Sequence, residues 1–430
     1  MAAVARNIRG LLHYSVIEPV REEPRLLLLA LSVTFITLGQ GIVVPILPLL
    51  VRSFGMTAAM VGIAVSAFGL ARVFANIPAG FLTRQQGFRF VMILGAFFAG
   101  TGNLLIGLIP SYGPLIAFRL IAGLGSAMFI TAAVAFVAEV STPANRGRFM
   151  TIYQTGFLLG TSMGPSVGGI TAAIFGLSGP FFLVAGLSVV AAYWTLTKIP
   201  GHLGKFSGDE KVPRAQAENR SQSQSSSILS LFFTPAFIAV NLIALGIFFT
   251  RGGALFNLWP LMMKEHFLLD PGRLGLIMTV PSAVNLMCTP FAGGLADRWG
   301  RRVMLIPSTF LFAAAALVSS VSPNLWIFAI AMICYGVGQA IESPSANAYV
   351  SDLAPRDQRA VALAIHRTFG DIGLVAGSPL LGLIADGSGI PWALVVNAGI
   401  VAIPGLVFLV VGKETARRQP QPQAASAVRR

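Results

Sequence analysis

The feature that most limits the folds open to this chain is a series of apolar runs recurring from Leu26 to Val411. Most are roughly 20 residues long, enough for a helix to cross the hydrocarbon of a bilayer. Inside hydrocarbon each backbone N–H and C=O must find a partner within the protein, and an α-helix supplies those partners from its own turns. Of the 430 residues 55% are hydrophobic and only 11% are charged, well below the roughly 25% charged residues of a soluble domain. Water is therefore not the main solvent, and a membrane is the expected environment.

Hydropathy read against turn signals predicts twelve spans. The first six are 26–51, 59–82, 91–110, 114–138, 149–175 and 180–198; the second six are 235–263, 272–296, 303–321, 325–350, 360–386 and 391–411. Loops carrying Arg84 and Arg89, Arg146 and Arg148, Asp297 through Arg302, and Arg356 through Arg359 alternate with nearly uncharged connections at Ser111–Gly113, Gly176–Gly179 and Ser322–Asn324. The positive-inside rule then puts the charged loops and both termini on the cytoplasmic side of a plasma (inner) membrane.

Residues 1–25 carry Arg6, Arg9, Glu18, Arg21, Glu22, Glu23 and Arg25 without a compact apolar core, so they read as a cytoplasmic arm rather than a cleaved signal. The polar stretch 199–234 contains the Ser/Gln run Ser221–Ser227 and reads as a flexible linker. It separates six-helix bundles at 26–198 and 235–411, and 412–430 forms a cytoplasmic tail. The net charge of +14 lies in short loops rather than on a recognition helix, which argues against a nucleic-acid partner. Cys288 and Cys334 sit inside apolar runs and suggest neither a disulfide framework nor a zinc site. With no metal cluster, nucleophile elbow or phosphate loop, neither an enzyme nor a cofactor is expected, and without an obvious dimer face a monomer is the default.

The two bundles superpose without gaps at a shift of 213 residues. The shift carries Gly80 onto Gly293, Gly87 onto Gly300, Arg89 onto Arg302, Pro110 onto Pro323, Gly123 onto Gly336, Glu139 onto Asp352, Arg146 onto Arg359 and Gly164 onto Gly377. Two copies of an even number of spans share one orientation. The repeats are therefore parallel, related by an axis along the membrane normal, with a central cavity between them as the natural substrate site.

Between spans eight and nine stands Gly293-Gly294-Leu295-Ala296-Asp297-Arg298-Trp299-Gly300-Arg301-Arg302, which resembles the loop signature of the major facilitator superfamily. Its glycines permit a tight turn, and its carboxylate and arginines suit a charged latch, with Asp352 as a further partner. The equivalent loop of the first half has Arg84 where the family pattern has an acid, leaving Glu139 as the nearest partner for Arg84 or Arg89.

Span five carries Gly160, Gly164, Pro165, Gly168 and Gly169 in a pattern similar to the antiporter signature of drug/proton exporters. Small residues at that spacing allow close helix approach, and the proline removes a backbone donor. The end of span one, Gly39 through Pro48, is also similar to the twelve-helix exporters, but Gln40 stands where many relatives carry an acid. The resemblance implies an all-α membrane protein with twelve transmembrane helices in two parallel six-helix repeats, the major facilitator fold.

Ionisable groups at membrane depth are costly, and each is a functional candidate. Arg119 precedes Gly123-Leu124-Gly125 and resembles the fourth-span arginine of the family, which is associated with proton handling; purely structural pairing is the alternative. Glu342 and Asp371 are the acids well inside spans and the candidates for proton coupling, with Asp371 also placed for an intrahelical pair with Arg367 four residues earlier. His366 is a further relay candidate. Gln40, Arg251, Asn257 and Arg367 are expected at the substrate cavity, and Arg72 either packs or contacts substrate.

The expectation is a proton-coupled secondary transporter that exports small amphipathic or drug-like molecules by alternating access. The alternative is a symporter or uniporter taking up an organic anion, sugar or metabolite. In either case the partners are a small-molecule substrate, protons and the bilayer.

Overall fold

The computed structural model describes residues 23–142, 145–200, 234–355 and 358–415. Most of the arm, the linker and the tail therefore lie outside the described residues. Among the described residues, twelve helices long and apolar enough to cross a membrane follow one another. In the first half these are α1 (Arg25–Ser53), α2 (Ala58–Gln86), α3 (Phe88–Leu108), α4 (Tyr112–Val140), α5 (Arg146–Phe175) and α6 (Gly179–Lys198). In the second half they are α7 (Pro235–Glu265), α8 (in two pieces, Pro271–Met278 and Val280–Trp299), α9 (Arg301–Ser320), α10 (Leu325–Leu353), α11 (Arg359–Ser388) and α12 (Ile390–Val411). Each predicted span coincides with one of them; most helices overrun the apolar runs by up to four residues, while α3 and α9 stop two residues and one residue short of theirs.

Local chemistry sets several helix ends. Thr57, Asp270 and Asn324 cap α2, α8 and α10, each accepting from the N–H three residues on. The links α2–α3 and α8–α9 are single glycines, Gly87 at φ 89° and Gly300 at φ 106°, a region closed to most side chains. These two positions are equivalent under the 213-residue shift.

α7 changes register in mid-membrane, where Arg251–Leu258 is π-helical. Gly252 and Gly253 begin that segment, and their missing side chains let it lie against the α11 backbone at Leu374 and Gly377. In the second half Trp259 is fully buried, edge-on to Phe328 and Tyr335, and donates its indole N–H to Ser319 Oγ at 3.1 Å.

Contacts between the halves follow two seams, α2 against α11 and α5 against α8, with the far ends of α1 and α7 between them. The repeat shows in their atoms. Gly382 lies under the Ala58 carbonyl and Gly169 under that of Pro271, while Gly62 abuts Pro379 and Gly275 abuts the Pro165 carbonyl. These contacts lie toward the end with short, nearly uncharged loops.

α3, α4 and α6 make their principal contacts within the first half, and α9, α10 and α12 within the second. Toward the charged-loop end Gln154, Ser343, Asn347, Arg367 and Thr368 are exposed at membrane depth, where lipid does not suit them. The halves thus meet through backbone contacts toward the short-loop end and expose polar side chains toward the charged-loop end.

Candidate functional site

Five residues from four helices share one electrostatic field at the centre. Arg72 of α2 interacts with Asp371 and Arg367 of α11, with Arg251 of α7 and with Tyr153 of α5. The Arg251 guanidinium lies 5.8 Å from the Phe248 ring centre and 5.7 Å from that of Phe256, two cation–π contacts at the start of the π-helical turn. Its field reaches Glu342 of α10, which is 5% exposed, and Tyr335, which is 1% exposed.

Neither acid is locked into an ion pair. Among the described residues, no basic nitrogen lies within 4.0 Å of the Glu342 or Asp371 carboxylate. The intrahelical pair expected between Arg367 and Asp371 is therefore not closed; Arg367 is exposed and Asp371 half-buried, so the guanidinium has water available. A buried carboxylate beside cations but not bonded to them can exchange its neighbours for a proton or a ligand.

Four predicted residues stand elsewhere. Asn257 is fully buried and donates to Ala58 O of the first half at 3.1 Å and to Ser378 O at 3.0 Å, so it pins the closed seam. Gln40 points into the first bundle and donates to Ser126 Oγ at 2.7 Å. With Arg119, Asn103 and Ser188 it borders a cavity of about 20 Å³, room for about one water.

Arg119 itself is buried, donates to Ala64 O at 3.2 Å and lies 4.6 Å from the Phe68 ring centre. No carboxylate pairs with it among the described residues. The buried His366 ring is held by Asn241, Nδ1 to Oδ1 at 3.0 Å; since Asn241 donates its own amide to Phe237 O, the histidine is the donor here.

At the charged-loop end Arg301 forms an ion pair with Asp352, and its Nη1 also donates to Ala348 O at 3.2 Å. Arg302 donates to Leu409 O at 2.6 Å. The Glu414 carboxylate accepts the backbone N–H groups of Arg301 at 2.9 Å and Arg302 at 3.2 Å, capping α9. The predicted latch is therefore a tie within the second half, because Asp352 reaches the loop of its own bundle. The side chains of Asp297 and Arg298, and the surroundings of Gly293, lie outside the described residues. Glu139 is exposed and forms no ion pair among the described residues, so it does not hold Arg84 or Arg89 in this state.

The glycines of α5 face two partners. Gly160, Gly164 and Gly168 pack against α1, where a Cβ on Gly41 would stand 2.9 Å from Gly164 Cα, whereas Gly169 meets α8, where a Cβ would stand 2.8 Å from Gly275 Cα. Pro165 gives its carbonyl side to Gly275. The motif is thus a packing surface serving both the bundle interior and the seam.

The Major Facilitator Superfamily profile matches residues 29–258 and again 240–429. The chain belongs to the major facilitator superfamily. Among curated relatives, the superfamily member is similar to multidrug resistance protein 2 of Bacillus subtilis, with 24% identity over 92% of this chain and 97% of the relative. It also resembles an uncharacterised MFS-type transporter of Methanocaldococcus jannaschii, with 23% identity over 83% of this chain and 90% of the relative. Quinolone resistance protein NorA of Staphylococcus aureus is 21% identical over 91% and 97% of the two chains. Among solved structures, a bacterial homologue of the human lysosomal transporter Spinster superposes at a TM-score of 0.75, with 16% identity over 91% of this chain and 97% of the other. The protein is accordingly a multi-pass membrane transporter of the major facilitator fold.

Sequence reasoning missed four groups of this transporter's polar framework. Tyr153 and Tyr335 join the central field but look like ordinary apolar-run tyrosines in sequence. Arg52 and Glu265, related by the 213-residue shift, meet where α1 and α7 end, Nε to Oε1 at 2.7 Å. The repeat that carried the glycines could have disclosed this opposite-charge match. Glu414 follows the last span at a position that hydropathy does not mark. Asp386, at the end of α11, accepts two N–H groups from the opposite half, a pairing that no local pattern announces.

Proposed function

We propose that this transporter exports small amphipathic, drug-like molecules in exchange for protons, by alternating access. The observation carrying the proposal is the buried Glu342, without an ion-pair partner among the described residues and within the field of Arg251. Asp371 with Arg72 and Arg367 forms the second proton-coupling candidate. The relatives named for multidrug and quinolone resistance support the direction of transport. The glycine-lined α5 supports a rocking seam.

With the charged loops on the cytoplasmic face, the closed short-loop end makes this the inward-facing state, and both termini are cytoplasmic in a plasma membrane. Bundles 26–198 and 235–411 rock about the cavity as a monomer without a cofactor. Substrate entering from the cytoplasm displaces a proton from Glu342 or Asp371. Release outside lets a proton return, and this competition for one site couples the fluxes. Arg119 sits apart from the central acids and acts on coupling only through the packing of α4 against α2.

A second reading draws on Arg72, Arg251 and Arg367 outnumbering the two central acids. That excess of cations suits an organic anion, and protonation of the acids removes their competing negative charge, so proton and anion travel together. The test is reconstitution in liposomes with an imposed pH gradient. Exchange by the wild type, abolished in Glu342→Gln or Asp371→Asn, supports the coupling assignment; undiminished gradient-driven flux in both variants overturns it.

A further inference from the structure

We infer that Asp386 is a latch selecting the closed short-loop end, and that it acts on one of the two symmetry-related seams. The inference builds on the alternating-access reading above. Asp386 Oδ1 accepts from Ala58 N–H at 2.8 Å and Oδ2 from Ala59 N–H at 2.9 Å. These are the first two N–H groups of α2, which no carbonyl of their own helix can satisfy, and the carboxylate meets the positive end of the helix dipole. The donors belong to the first half and the acceptor to the second. The helix's own cap, Thr57, reaches only Met60 N–H, at 3.4 Å.

The repeat provides an internal comparison. The 213-residue shift carries Ala58 to Pro271 and Asp386 back to Ala173. A proline in the first helical position has no N–H to offer, and Asp270 of the same half caps the helix by accepting from Arg273 N–H at 3.1 Å. Ala173 brings only a methyl group to this level, 3.5 Å from where a Cβ on Gly272 would stand. The α5–α8 seam is closed here by packing, with the Ser166–Thr279 hydroxyl contact deeper in the membrane. The α2–α11 seam adds a carboxylate that crosses between halves.

Neighbouring charges leave that carboxylate to its amides. Arg52, Glu265 and His266 border the same rim, but Arg52 is taken by Glu265 and by Met56 O at 3.1 Å. When the halves part, both N–H groups and the carboxylate must pass to water together, so Asp386 contributes to the closed state and to the step that opens it. It is a positioning residue and does not touch substrate.

Two substitutions separate this role from general stability. Asp386→Asn keeps the shape but turns an amide donor toward a backbone donor. Ala58→Pro removes one donor and reproduces the arrangement at Pro271; Thr57 is already extended, at φ −78° and ψ 169°, as a residue before proline must be. Spin labels at the exposed Ser111 and Pro323, in the full chain with its two cysteines replaced, report closure in lipid nanodiscs.

The closed-to-open ratio is expected to fall about tenfold in Asp386→Asn and about threefold in Ala58→Pro, with Asp386→Glu restoring part of it. Wild-type ratios in both Asp386→Asn and Ala58→Pro overturn the latch. If Asp386→Asn does not fold, Ala58→Pro decides alone. Because the readout is a distance rather than a flux, failure of the exporter reading leaves these expected shifts intact.

Discussion

Replacing Gly62 with alanine should force the halves apart at the short-loop end while leaving each bundle folded. A Cβ at Gly62 would stand 2.5 Å from both the nitrogen and the Cα of Pro379, on the opposite half. These are backbone atoms that no rotamer change can move. Ordinary carbon contact is about 3.5 Å, so the seam must open by roughly 1 Å. Overpacking of this kind costs about 1–3 kcal/mol, and each 1.4 kcal/mol is a factor of ten in an equilibrium.

The closed-to-open ratio should therefore fall roughly 5- to 150-fold. The same spin-label distances measure it. Gly95→Ala is the control, since its Cβ would meet Phe129 N at 2.6 Å within the first half. That variant should melt at lower temperature without shifting the label distance. A Gly62→Ala protein with wild-type melting and wild-type closure would show that the seam is not packed as described.

Other consequences follow from particular contacts. Arg52 and Glu265 have side chains 39% and 41% exposed, so a double-mutant cycle on closure should give a coupling of only about 0.2–1 kcal/mol; the reversed pair Arg52→Glu with Glu265→Arg should recover most of what either single reversal loses. Trp259→Ala removes a fully buried ring and its hydrogen bond, and thermal unfolding in detergent should show a loss of about 3–5 kcal/mol. His366→Gln should leave the pH profile of transport unchanged if the histidine serves only to hold Asn241; an altered profile would instead make it a relay.

The sequence showed the fold more fully than the site, for a physical reason. Length and apolarity decide whether a helix can span hydrocarbon, and both are local, so all twelve spans could be read with small errors at their ends. The glycines of span five, such as Gly169, marked where backbones touch, but which helices meet there is set by the fold. Polar partnerships are set by three-dimensional approach. Asn257 looked like a cavity residue, yet the π-helical turn of α7 delivers it to the carbonyls of Ala58 and Ser378. Asp352 does pair with Arg301 of its own half, the loop partner its place at the inner end of the fourth span suggested. Asp386 and Glu414 were invisible because each caps a helix from a distant part of the chain.

If protons exchange for substrate, the direction of proton movement is the decisive readout. Liposomes holding the purified protein and an internal pH dye would be given amphipathic cations or organic anions across a fixed pH gradient. Proton flux should depend on substrate, run opposite to substrate flux, and be lost in Glu342→Gln. Protons moving in the same direction as an organic anion, or substrate flux indifferent to the gradient, would contradict proton exchange.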